Sequence, residues 1–171
     1  MNSQDSSTKT GVTSRRSFLK TSAMVGAVAT VPSFAMRAAA NNNSKLRIMH
    51  IGVGGVGGMQ RGNLKRHPKV EFAFLCDVDS KNLDRVSREL PKAMKIKDYR
   101  EAFDKHLDKF DAVVVDTPDL HHAPMMITAL TAGKHVYGQK PLVHQLDELR
   151  MMRAILAKRP NLHTQMGNQR A

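Results

Sequence analysis

Leu46-Arg47-Ile48-Met49-His50-Ile51-Gly52-Val53-Gly54-Gly55-Val56-Gly57 is the stretch that decides the fold. Leu46 to Val53 is a short apolar run that reads as a buried strand, and it ends in glycines. Gly52 to Gly57 then has the form G-x-G-x-x-G and leads into helical residues from about Val56 to Arg66, ended by Pro68. In this strand–turn–helix setting each glycine has a purpose. The first permits the tight turn, the second lets backbone approach a pyrophosphate, and the third packs helix against strand. The helix start offers unbonded N–H groups and partial positive charge to the phosphates. Gly52, Gly54, Gly55, Val56 and Gly57 are therefore expected to bind a dinucleotide.

Downstream, Val70 to Cys76 (VEFAFLC) reads as a second strand. Asp77 follows it, twenty residues after Gly57, where a carboxylate can accept hydrogen bonds from the adenosine ribose hydroxyls. A negative charge there repels a 2′-phosphate, which favours NAD over NADP; Lys81 and Arg85 are the residues able to reverse that preference. The competing reading is a helix-capping aspartate, a role that Asp79 fills better. A methyltransferase also pairs a glycine-rich loop with an acid after the second strand, so later segments have to separate the two.

The rest of the chain keeps alternating. Ser80 is placed to cap a helix with Leu83, Val86 and Leu90 on one face, stopped by Pro91. Asp98 and Glu101 have capping-box spacing before Phe103, Leu107 and Phe110. Ala112 to Val115 is a Val-rich strand, and a helix from about Leu120 carries Met126, Ala129 and Leu130 inward and ends at Gly133. His135 to Tyr137 is a short strand. Leu146, Leu149, Met152, Ile155 and Leu156 mark a helix stopped by Pro160, and Leu162 to Met166 is the last strand. Strands alternating with helices predict an α/β, doubly wound parallel sheet of the Rossmann type, with ligands at the carboxyl ends of the strands.

Two further motifs fall at such ends: Thr117-Pro118-Asp119-Leu120-His121-His122, and Gly133-Lys134-His135-Val136-Tyr137-Gly138-Gln139-Lys140-Pro141. With the glycine loop, they make the stretch from about Lys45 to Gln169 resemble the Gfo/Idh/MocA oxidoreductases, whose pattern has T-P-[ND]-x-x-H and then G-K-H-V-x-x-E-K-P. The paired motifs exclude the methyltransferase. The resemblance implies that Thr117, Pro118 and His122 line the cofactor cleft and that Lys140 is the active-site lysine, its charge stabilising a developing alkoxide. Gln139 stands where the family usually has glutamate; an amide still bonds a ribose hydroxyl but is no base. Gln165-Met166-Gly167-Asn168-Gln169 is similar to a segment of exported, sugar-directed members and NAD-dependent glycosidases, which makes Asn168 a cofactor contact. His121, His122 and His144 have no spacing that groups them with carboxylates, so no metal is expected.

The N-terminus reads as an address. Ser14-Arg15-Arg16-Ser17-Phe18-Leu19-Lys20 resembles the bacterial twin-arginine signal; residues 21–36 are uncharged and mildly apolar, interrupted by Pro32. Ala38-Ala39-Ala40 supplies the small residues for cleavage before Asn41, with a second cleavage point after Ala35. The expected organisation is a signal peptide over 1–40 and a dinucleotide-binding domain over 41–171, delivered folded to the bacterial periplasm. No uncharged stretch has the roughly 18 strongly apolar residues of a membrane span, so stable membrane insertion is not expected.

The chain has 27 basic and 15 acidic residues, net +12; without residues 1–40 it has 22 and 14, net +8. The basic residues are scattered and no aromatics interleave with them, which argues against a nucleic-acid partner. Cys76, the one cysteine, lies in an apolar run and reads as a buried, inert thiol.

Members of the resembled family continue into a second α/β domain that supplies the substrate pocket and the acid/base partners. Its absence here predicts a chain that binds NAD without turnover and exposes an apolar docking face prone to self-association. Three functions fit. One is an oxidoreductase acting on a sugar, polyol or related hydroxyl compound, recorded as a partial chain. The second is a bare nucleotide-binding fragment, and the third an NAD-dependent glycosidase.

Overall fold

The structure is a computed structural model and describes residues 44–168; the signal-peptide reading and Gln169 lie outside the described residues. The chain opens on β1 (Leu46–Ile51), α1 (Gly55–Lys65), β2 (Val70–Cys76) and α2 (Ser80–Glu89). β3 (Met94–Ile96), α3 (Tyr99–Lys105) and a 3₁₀ turn (Leu107–Lys109) lead to β4 (Ala112–Val115). A second 3₁₀ turn (Asp119–His121) runs into α4 (His122–Thr131), followed by β5 (His135–Gly138), α5 (Leu146–Ala157) and β6 (Thr164–Met166). The sheet has the order β3-β2-β1-β4-β5-β6 and every pairing is parallel. This is the doubly wound Rossmann arrangement, and the strand order reverses between β1 and β4.

Successive strand residues point to opposite faces, and β1 and β4 show what that does. Met49, Ile51, Val113 and Val115 pack with Met126, Ala129, Leu130 and Met152 of α4 and α5. Ile48, Ala112 and Val114 pack on the other side with Leu83 and Val86 of α2. Both faces are covered, which is why these strands are apolar throughout rather than alternating. The β1–β2 register slips between Ile48 and Met49, so β2 carries one extra residue. At the amino ends of the strands, Arg47 clasps the Asp111 carboxylate through Nε (3.0 Å) and Nη2 (2.6 Å). Burial raises the Asp111 carboxyl, yet the hydrogen bonds from Arg47 outweigh it and hold it below the usual carboxylate range.

Several local expectations are corrected. β1 ends at Ile51, because the chain turns at Gly52 with φ +83°. Asp79 rather than Ser80 caps α2, its Oδ1 accepting from Lys81 N at 2.8 Å. Asp98 does cap α3, but Glu101 turns to Lys105, 3.1 Å away, instead of reaching back. β3, only three residues long, has no apolar pattern to betray it. The last strand begins at Thr164, not Leu162, and is exposed along its length. Only Met152 of α5 is fully buried, while Leu146 remains 60% exposed.

Candidate dinucleotide-binding site

The carboxyl ends of β1, β2, β4, β5 and β6 bring the predicted residues to one edge of the sheet. Gly52 donates its N–H to Cys76 O (2.8 Å), and a side chain on it would strike Asp116 O at 2.6 Å. A Cβ at Gly57 would lie 1.9 Å from Gly52 O, so the first and third glycines are needed for the turn and the helix to pack. Gly54 caps α1 with extended backbone and no side-chain oxygen, and the first turn holds no acidic residue. Gly55 and Val56 are exposed, and nothing stands within 4 Å of the position a Cβ on Gly55 would take. The N–H groups of this helix start have no internal carboxylate in their first turn, and the surface over them is open. That arrangement fits a pyrophosphate.

Asp77 holds this loop. Its Oδ2 accepts from Val53 N (3.0 Å) and Gly54 N (3.2 Å), and its Oδ1 from Asp79 N (2.9 Å). Asn82 Nδ2 also reaches Oδ2, at 3.5 Å; the carboxylate has about four acceptor positions, so a ribose hydroxyl would replace that long bond, and loop anchoring is part of the work of Asp77. From below, buried Arg61 donates through Nη1 to Val53 O (2.9 Å) and reaches Glu89 on α2 at 3.3 Å. Sequence reasoning missed Arg61. The i, i+8 relation to Val53 runs through the glycine turn, where helical spacing gives no guide.

The later motifs divide into surface and brace. Pro118 and Lys140 are exposed and Thr117 half-buried at the ends of β4 and β5, and exposed Asn168 follows β6. Gln139 is buried, its Oε1 accepting from Lys140 N at 2.8 Å, so that oxygen orients the lysine's own backbone. His122 does not line the cleft. It is fully buried, with Nε2 at 2.8 Å from Thr117 O and Nδ1 at 2.7 Å from Pro141 O. It ties the β4 motif to the β5 motif because α4 begins beneath both loops. Lys134 and His135 of the same motif lie at the other end of β5. There the half-buried Lys134 Nζ donates to Phe110 O (2.8 Å) and sits 4.9 Å from the Phe110 ring centre; burial pulls its pKa down.

Among the described residues, no three His, Cys, Asp or Glu side chains are grouped as metal ligands, and no helix is long and apolar enough to cross a membrane. A shallow cavity of about 240 Å³ beside Val70, Phe72, Leu90 and Ala93 opens at the opposite end of the strands from the motifs, so it is no part of this site.

Residues 46–167 match the family model of the Gfo/Idh/MocA oxidoreductases, described as an oxidoreductase family with an NAD-binding Rossmann fold. Residues 12–32 match the twin-arginine translocation signal, the mark of export by that route. Among curated relatives, a glycosyl hydrolase family 109 protein of Shewanella pealeana is 32% identical over 61% of this chain and 25% of its own length. An inositol 2-dehydrogenase of Rubrobacter xylanophilus is 29% identical over 64% of this chain and 31% of its own. The chain thus spans a quarter to a third of the curated relatives it matches. Of solved structures, scyllo-inositol dehydrogenase from Lactobacillus casei, with bound NAD(H) and scyllo-inositol, superposes with a TM-score of 0.67 at 26% identity. That superposition covers 72% of this chain and 36% of the other. The glycine loop, the acid after β2, the two later motifs and the matched family model agree: this chain belongs to the Gfo/Idh/MocA oxidoreductase family and carries its NAD-binding Rossmann fold.

Proposed function

We propose that this chain is the dinucleotide-binding part of a periplasmic oxidoreductase that prefers NAD to NADP and acts on a sugar, polyol or related hydroxyl compound. The observation that carries this reading is the open glycine loop of α1 with Asp77 bonded to it. Such a dinucleotide, when bound, supplies reversible hydride transfer at its nicotinamide. The chain's own residues supply the rest of the site: the α1 amides hold the phosphates, Asp77 accepts from a ribose hydroxyl and repels a 2′-phosphate, and Thr117, Pro118 and Asn168 border the cleft. Lys140, exposed at the end of β5, offers a positive charge to a hydroxyl losing its proton. The inositol and sugar-nucleotide ligands named for similar structures support a polyhydroxylated substrate.

The test is calorimetric titration of the chain with NAD and NADP, beside Asp77→Ala. The wild type is expected to bind NAD more tightly, and Asp77→Ala to narrow the gap. Equal or tighter NADP binding by the wild type sinks the assignment. The similarity to glycosyl hydrolase family 109 proteins favours a second reading, in which the same site serves glycoside cleavage. Release of an aryl leaving group from a glycoside by the protein, with no net NADH, would select it.

A further inference from the structure

His50 and Asp116 form a polar pair in the middle of an apolar floor. His50 is the fifth residue of β1 and Asp116 follows the last residue of β4, 66 positions later; the two strands are neighbours. His50 Nε2 lies 2.8 Å from Asp116 Oδ2, and both side chains are fully buried. Ile48, Phe72, Val53 and Val114 are buried on that face, with the Phe72 ring centre 6.1 Å from that of the imidazole. His50 Nδ1 and Asp116 Oδ1 have no hydrogen-bond partner among the described residues. Stability does not account for such a pair. A buried imidazole–carboxylate contact loses hydration on both sides, and apolar residues of similar volume in its place are often as stable or more so. Leaving one atom of each group unsatisfied adds to that cost.

Its location is informative. A Cβ on Gly57 would come within 3.2 Å of His50 Nε2, so the ring is packed against the first turn of α1 at the third glycine. A Cβ on Gly52 would meet Asp116 O, so the aspartate's backbone is packed against the first glycine. Asp116 N in turn donates to Ile51 O (2.8 Å). The pair therefore stands under both ends of the glycine turn and also adjoins Thr117, the start of the next motif. We propose that His50 and Asp116 are positioning residues for the dinucleotide: their contact fixes how closely the start of α1 approaches the end of β4, and so aims the α1 amides at the pyrophosphate. This rests on the NAD-binding reading above. The Asp77 and Arg61 side chains bond the loop at Val53 and Gly54 instead.

The experiment compares the full chain with Asp116→Ala, Asp116→Asn and the double variant His50→Leu with Asp116→Ala, which replaces the polar pair by apolar side chains. Each is measured for thermal midpoint and for affinity towards NAD, ADP-ribose and adenosine. The double variant is expected to keep its thermal midpoint yet bind NAD and ADP-ribose about tenfold more weakly, the scale seen when an orienting partner is lost, with adenosine binding unchanged. NAD affinity within about twofold of wild type would overturn the proposal. If the double variant does not fold, the single variants decide. Asp116→Asn, which keeps a partner for Nε2, should retain NAD affinity within about threefold while Asp116→Ala loses about tenfold; equal affinities would overturn it. A wild type that binds neither NAD nor ADP-ribose defeats the NAD reading itself, and is recognised before any variant is compared.

Discussion

Glycines of one helix have opposite meanings, and substitution separates them. Gly57 faces Gly52 O so closely that Gly57→Ala must push α1 off the turn. It should cost about 1–3 kcal/mol and abolish tight NAD binding. Gly62, in the same helix, has nothing within 4 Å of the point where a Cβ would stand, so Gly62→Ala should gain about 0.5–1 kcal/mol. Thermal denaturation of the two variants checks both signs, and a neutral Gly57→Ala would refute the packing described here. The glycine turn and the acid that follows β2 were legible because a local motif sets their places in the fold. His122 was misplaced for the opposite reason. The motif marks it as important, but its burial depends on Thr117 and Pro141 closing over it, a tertiary event that no spacing encodes. The His50–Asp116 pair left no trace, since a histidine inside LRIMHIGV and an aspartate after a Val run gain their relation only from β1–β4 pairing.

Two of the strands were readable to the residue. β2 and β4 match their expected bounds because β-branched and aromatic runs of that length have one structural outcome in an alternating chain. β3 was missed because Met94-Lys95-Ile96 is short and half polar, and its place in the sheet comes from pairing with Phe74 to Cys76. β6 lies at the sheet edge, pairs with β5 alone and is exposed along its length, so a contact beside it that depends on pH bears on it directly. The N–H of His163, just before it, donates to His135 Nδ1 at 3.1 Å, and the two rings stack 5.2 Å apart. That bond requires Nδ1 to be unprotonated. Burial first, then His163 and Lys134, pull the His135 pKa below its ordinary 6.5, with Asp111 opposing them. The unfolded chain therefore takes up the proton more readily. The stabilisation is complete above pH ~6.5 and is lost as the pH falls through that value toward the lower folded one. The protection of the Gln165 and Met166 amides, taken relative to the intrinsic exchange rate at each pH, should fall on acidification from about pH 7.5 to about 5.5, a range that brackets the ordinary histidine value, and His135→Phe should flatten the response. Unchanged protection across that range would contradict a role for the His163–His135 bond.

At the scale of the whole molecule, export and cofactor binding meet. The twin-arginine signal matched over residues 12–32 contains Arg15 and Arg16, and changing both to Lys should leave the precursor in the cytoplasm, as cell fractionation would show. Normal delivery would remove the export assignment. Cys76 offers a probe of whether the sheet is closed. The thiol is the chain's single sulfhydryl, buried at the end of β2, and burial pushes its pKa up to about 12. A thiol reagent reaches it only when the sheet opens, so the labelling rate counts openings of the native state. Its own carbonyl accepts from Gly52 and its neighbour Asp77 anchors the loop, so an opening that frees the sulfur also dismantles the nucleotide site. NAD at about a hundred times its dissociation constant should then slow labelling about a hundredfold, turning one inert cysteine into a stopwatch for cofactor occupancy that needs neither substrate nor turnover.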